Sequence, residues 1–209
     1  MPDFAPGGKI ICIGRNYAEH AAEMGHDPER SQPFFFFKPA SALLLPGEDF
    51  IYPDFSREVH HELELVVRVA VGGRHLKTEQ TEINGFAIGL DMTCRDLQRV
   101  AKQQGRPWEL AKGFDGSAPC SEFIAGNLQD LEKTSAITLE RNGVIVQSGL
   151  WRDMIWSIPE LMAEVSRYIA LTPGDLIFTG TPAGVGEVAR GDRLIARLDD
   201  VCKLTLSVI

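Results

Sequence analysis

The 209-residue chain holds no apolar run near the roughly 18 residues that a membrane-spanning helix needs. Its N-terminal Met-Pro-Asp-Phe-Ala-Pro-Gly-Gly has neither a basic stretch nor an apolar core, so no signal peptide is expected, and a cytoplasmic location is. Cysteine is sparse. Cys12, Cys94, Cys120 and Cys202 are scattered, with no Cys-x-x-Cys, which argues against a zinc site or a disulfide framework. They read as small buried hydrophobes of a reducing compartment. Positive charge is also short: 21 Lys and Arg stand against 29 Asp and Glu, a formal net charge of -8. That balance disfavours nucleic acid or an anionic membrane surface as partner. There is no internal repeat, low-complexity tract or convincing interdomain linker, so residues 1–209 are expected to form one catalytic domain.

Apolar residues make up 44% of the chain and charged residues 24%, the composition of a globular domain. Residues 9–13 form a short apolar strand closed by Gly14, and residues 16–24 have helical composition with Gly25 as a C-cap. Phe34 to Phe37 is an aromatic strand, 43–55 a loop or edge, 61–71 a strand turned by Gly72-Gly73, and 83–90 another strand. A helix is expected over 94–104. Arg141-Asn142-Gly143 between 136–140 and 144–147 is a strong hairpin signal. Residues 157–170 read as a helix, with Ser157 as N-cap, Pro159 early, and apolar residues at helical spacing. Late strands fall at 176–179, 193–198 and 202–208. Strands outnumber helices and the helices are not regularly interleaved, so the expected class is α+β with a mixed sheet.

Within the strand 61–71, Glu62 and Glu64 are one residue apart, and side chains at i and i+2 of a strand share a face. Two carboxylates that close raise each other's pKa unless a cation sits between them. Asp91 follows the strand 83–90. Three carboxylates of this kind suit a hard divalent cation, Mg²⁺ or Mn²⁺, with positions left open for substrate.

Three further segments carry candidate chemistry. His20 and Glu23 stand i and i+3 on one helical face, where a carboxylate raises the basicity of an imidazole and orients it, the outline of a water-activating pair. Lys112, after an apolar pair and before Gly-Phe-Asp, is placed to reach a cavity and stabilise an oxyanion. Residues 179–186, Thr-Gly-Thr-Pro-Ala-Gly-Val-Gly, follow a strand; without a following Lys they are not a phosphate loop, and their hydroxyls and amides suit a carboxylate. Arg15, Lys38 and Gln98 are polar residues beside these motifs and candidates to bind substrate. His60 and His61 precede the Glu pair and read as solvent-facing, the alternative being that one of them supports a metal-holding glutamate.

Taken in order, Gly-Arg-Asn-Tyr-Ala-Glu-His, Phe-Phe-Lys-Pro, His-His-Glu-Leu-Glu-Leu, Gly-Leu-Asp-Met-Thr-Cys-Arg-Asp-Leu-Gln, Ala-Lys-Gly-Phe-Asp, Pro-Gly-Asp-Leu-Ile-Phe-Thr-Gly-Thr-Pro and Gly-Val-Gly resemble the fumarylacetoacetate hydrolase family. Each motif is weak alone; the ordered set, spanning roughly residues 9–198, is specific. The resemblance is to the short form, and most of all to acylpyruvases and fumarylpyruvate hydrolases. It implies a mixed-sheet β-roll, a partly open barrel, and a homodimer. It implies that Glu62, Glu64 and Asp91 hold Mg²⁺ or Mn²⁺, that His20 and Glu23 are the catalytic dyad, that Lys112 is the active-site lysine, and that Gln98 and Thr181 meet the substrate.

The expected activity is metal-dependent hydrolysis of a C–C bond in a 2,4-dioxo acid, an acylpyruvate or fumarylpyruvate, giving pyruvate and a carboxylic acid. His20 would deprotonate the attacking water and Lys112 would hold the oxyanion. The rival is decarboxylation or isomerisation of oxaloacetate or a related oxo-diacid at the same site. A carboxylate-binding module with a structural metal is the non-enzymatic alternative, for which a dyad would be redundant. Residues 16–33, with Gly14 and Gly25 as hinges, are expected to act as a lid.

Overall fold

The structure is a computed structural model, and it describes residues 8–18 and 32–209. In chain order the described elements begin with β1 (Ile10–Gly14), β2 (Phe34–Lys38), β3 (Leu43–Leu44), β4 (Val59–His61) and β5 (Leu63–Val69). Then come β6 (Ile83–Leu90), β7 (Thr93–Cys94), α1 (Arg95–Gln104), α2 (Glu109–Lys112), β8 (Ala118–Pro119), β9 (Ile124–Ala125) and α3 (Leu128–Leu131). The C-terminal part adds β10 (Ala136–Arg141), β11 (Val144–Leu150), α4 (Ile158–Tyr168), β12 (Leu176–Phe178), β13 (Gly186–Glu187), β14 (Arg193–Leu198) and β15 (Cys202–Ser207). The helix expected over 16–24 does not begin at Asn16: Asn16 is irregular and Tyr17 forms an antiparallel bridge with Met154, because the chain is still held beside the 154–156 segment there. Residues 19–24, the His20/Glu23 pair and most of the expected lid lie outside the described residues.

The main sheet runs β2-β1-β12-β5-β6-β9, with β1 and β12 parallel and the other pairs antiparallel. A second antiparallel sheet runs β11-β10-β14-β15, and small sheets β13-β4-β7 and β3-β8 complete the set. This is the expected α+β mixed-sheet architecture, without a closed barrel. β5 is central and buried on both faces, which explains its near-continuous Leu/Val run. Its odd residues Leu63, Leu65, Val67 and Val69 join the core shared with the second sheet. Val66, and by alternation Glu64, face the opposite side, where Ile10, Cys12, Ala87 and Phe178 pack.

Local signals formed their elements as read. Asn142 and Gly143 take the left-handed backbone of a two-residue hairpin turn, φ 54° and 86°. Ser157 and Glu160 close a capping box at the start of α4. All four cysteines are free and buried. The strand expected over 61–71 is different: it breaks at Glu62. β4 belongs to the small β13-β4-β7 sheet and β5 to the main one, so Glu62 stands where the chain changes sheet.

Candidate active site

The break does not separate the two glutamates from their partner. β5 and β6 pair antiparallel with Leu63 opposite Leu90. One step further along that register Asp91 lies across from Glu62, and Asp91 N–H donates to Glu62 O at 2.8 Å. Carboxylate oxygens of Glu62, Glu64 and Asp91 lie within 4.8 Å of one another, all three residues buried. Glu64 Oε2 accepts from Gly180 N–H at 2.8 Å. Burial, then the charges of Asp91 and Glu62, push the Glu64 carboxyl well above the usual carboxylate range.

Three cations are built into the same cluster. Lys112, buried at the end of α2, donates to Glu62 Oε2 at 2.8 Å and to Asp91 Oδ2 at 2.7 Å. Burial opposes its charge, but the Asp91 and Glu62 carboxylates prevail and hold its ammonium above the ordinary lysine value. Lys38 Nζ lies 2.8 Å from Asp91 Oδ1 and donates to Met92 O at 3.2 Å, to Ser117 Oγ at 3.0 Å and to Lys112 O. Arg95, at the start of α1, pairs with Glu62 Oε1 at 2.6 Å and donates to Gln98 Oε1 at 2.7 Å. Sequence reasoning missed Arg95. The signal was its place in Asp91-Met-Thr-Cys-Arg95-Asp-Leu-Gln98, four residues after the carboxylate and three before the glutamine on the same helix.

The donor set fits a divalent cation: three buried carboxylates converge, all oxygen ligands. The buried Asp91 Oδ1 has no hydrogen bond despite its closeness to Lys38, because the approach is off the hydrogen-bonding direction. This oxygen meets Lys38 as a charge but not through a hydrogen bond, which leaves its lone pairs available to a metal ion.

The remaining expected site residues are dispersed around this cluster. Gln98 is buried, and among the described residues its amide N–H groups have no acceptor. Thr181, next to Gly180, is buried and accepts from Gln147 at 3.0 Å. Arg15 is exposed and lies 5.3 Å over the Phe34 ring. His61 is not solvent-facing but 1% exposed, and burial holds its imidazole below the usual histidine value; His60 is half-buried.

The model for the family described as fumarylacetoacetate (FAA) hydrolase C-terminal matches residues 9–209. The chain belongs to the fumarylacetoacetate hydrolase family. Among family relatives, human mitochondrial oxaloacetate tautomerase FAHD1 is 39% identical over 207 residues, 97% of this chain and 92% of the relative. The mitochondrial oxaloacetate decarboxylase of Dictyostelium discoideum is 42% identical over 189 residues, 88% of this chain and 86% of the relative. The crystal structure of fumarylpyruvate hydrolase from Pseudomonas aeruginosa, in complex with Mn²⁺ and pyruvate, superposes with a TM-score of 0.89 at 41% identity, covering 98% of this chain and 90% of that one. No helix among the described residues is long and apolar enough to cross a membrane.

Proposed function

We propose that this protein is a divalent-metal-dependent enzyme of 2-oxo dicarboxylic acids that interconverts the keto and enol forms of an oxaloacetate-type substrate. The observation that carries this reading is the charge of the cluster. Glu62 and Asp91 are paired with Lys38, Lys112 and Arg95, and Glu64, once ionised to hold a metal, brings the balance to three negative charges against three positive ones. A divalent cation would leave the site at about +2, and burying that charge without a partner is expensive. A dianionic substrate supplies the balance; a monoanionic acylpyruvate does not.

When bound, Mg²⁺ or Mn²⁺ would supply a Lewis acid that stabilises an enolate of the oxo acid. Glu62, Glu64 and Asp91 would hold the ion. Lys112, kept protonated by its carboxylate neighbours, faces the oxygen on which negative charge develops. Lys38 has its N–H groups engaged and serves as fixed countercharge to Asp91 rather than as a substrate ligand. Gln98 and Thr181 offer donors to the substrate's carboxylates, with Arg15 further out. His20, oriented by Glu23, moves the proton at the carbon beside the oxo group. The protein works as a homodimer, which sedimentation at micromolar concentration tests by giving twice the chain mass.

The second reading is hydrolysis of a fumarylpyruvate-type dioxo diacid, with His20 activating water. The Pseudomonas aeruginosa structure favours it, since pyruvate is what such a cleavage leaves. The deciding experiment compares enol-oxaloacetate, fumarylpyruvate and acetylpyruvate with Mg²⁺ or Mn²⁺ and after chelation. The enol absorbance reports the first substrate and pyruvate release the other two. Turnover unaffected by chelation, or acetylpyruvate preferred to both dianions, overturns the proposal.

A further inference from the structure

Gln147 lies on β11, far in sequence from every residue of the carboxylate cluster, yet it is 1% exposed and touches both sides of the site. Its Oε1 accepts from Leu63 N–H at 3.0 Å and lies 2.8 Å from His61 Nδ1. Its Nε2 donates to Thr181 Oγ1 at 3.0 Å and to Pro182 O at 3.1 Å. Two of these partners leave no choice: a backbone N–H only donates and a carbonyl only accepts. The amide therefore cannot be flipped, and Oε1 faces the residues that flank Glu62. It follows that His61 carries its proton on Nδ1.

The other end of the amide sets the threonine. Thr181 Oγ1 uses a lone pair on Gln147, so its own O–H must point elsewhere. Among the described residues its only acceptor is Pro182 O at 3.4 Å, too long for a good O–H···O bond. The hydroxyl is a donor in want of an acceptor, one residue from Gly180, whose N–H touches Glu64. The glycine-rich loop can lie this close to β11 only at glycine: at Gly184, φ +96°, an added Cβ would stand 2.6 Å from Val146 O.

We infer that Gln147 is a positioning residue that presents the Thr181 hydroxyl as a donor to a carboxylate of the bound oxo acid while clamping the turn that carries Glu62. The inference rests on the oxo-acid reading above. It makes one amide the link between metal-holding strand and substrate loop.

The test uses Mn²⁺ alone, read by electron paramagnetic resonance, and oxalate binding to the Mn²⁺-loaded protein, read by calorimetry. Gln147→Glu keeps an oxygen toward Leu63 and His61 but replaces the donor, so Thr181 turns its proton inward. Oxalate affinity should fall about tenfold or more, the usual scale for a hydrogen bond to a charged group. Mn²⁺ affinity should stay within about threefold, and KM should rise more than kcat falls. Thr181→Val should lose the same oxalate affinity, Thr181→Ser should retain it, and the Gln147→Glu/Thr181→Val double variant should lose no more than either alone. Unchanged oxalate binding in both single variants, or additive losses in the double variant, overturns the inference. If Gln147→Glu does not fold, the ¹⁵N spectrum of the wild-type protein decides: a proton on His61 Nδ1 supports the orientation, and one on Nε2 overturns it. A wild-type protein that binds Mn²⁺ but no oxalate would instead overturn the oxo-acid reading, and the His61 tautomer still decides the amide.

Discussion

Lys112→Met removes one positive charge from the cluster while keeping an unbranched stem. In the wild type the ammonium bridges Glu62 Oε2 and Asp91 Oδ2 at 2.8 and 2.7 Å with the side chain 3% exposed. Removing one partner of a buried ion pair typically costs about 3–5 kcal/mol. The lower end applies because Arg95 stays on Glu62 and Lys38 on Asp91. At about 2–4 °C per kcal/mol for a chain of this size, the metal-free variant should melt about 6–12 °C below wild type. The variant cluster carries one positive charge fewer, so it should bind Mn²⁺ more tightly, on the order of tenfold after screening. Saturating Mn²⁺ contributes about 4 kcal/mol at a thousandfold excess over Kd, and should therefore raise the variant's Tm more than the wild type's. Turnover should nevertheless fall about 10²–10³-fold, the scale for losing one oxyanion donor. Scanning calorimetry with chelator and with Mn²⁺, beside a Mn²⁺ titration, gives every quantity. A metal-free Tm within 2 °C of wild type, or weaker Mn²⁺ binding in the variant, would refute the reasoning.

Metal binding should release protons. The Glu64 carboxyl is raised above its ordinary 4.5 by burial and by Asp91 and Glu62, so in the metal-free protein its stabilising share is full below 4.5 and lost as pH rises through the raised value. A cation needs the carboxylate, so Mn²⁺ affinity should climb with pH, and calorimetry in buffers of different ionisation enthalpy should show release; none between pH 5 and 8 would contradict it. Gly180→Ala, at φ +102°, would place a Cβ 2.7 Å from Asn16 Cβ. With about 1–3 kcal/mol of backbone strain added, Tm and Mn²⁺ affinity should both drop; an unchanged Mn²⁺ titration would show that the Gly180 N–H does not support Glu64. His20→Ala should slow any C–C hydrolysis about 10²–10⁴-fold and metal-dependent oxaloacetate decarboxylation far less, because only hydrolysis needs an activated water. Equal losses would assign His20 to binding or closure.

Elements whose signals lie within a few residues of one another were legible in the chain itself. The Asn142-Gly143 hairpin, the capped helix from Ser157 and the β6 span all formed where local pattern put them. Glu62, Glu64 and Asp91 were legible as a set because side chains at i and i+2 of a strand share a face, and because the family's ordered motifs contain all three. The break at Glu62 was not legible, since β4 and β5 differ in which strands pair with them and pairing is long-range. Nor were the partners of the set. Arg95 reaches Glu62 only once α1 is laid beside the β4–β5 junction, and Lys38 meets Asp91 only because β2 brings it across 53 positions of sequence. Gln147 looks like any polar residue of a hairpin strand. Its role arises because β11 packs under the 181–184 loop, leaving its amide one set of partners to satisfy. Residue type and short spacing thus determined which groups could carry the chemistry. Strand register and packing decided which charges meet, because electrostatics and hydrogen bonding act through space over a few ångströms, whatever the distance along the chain.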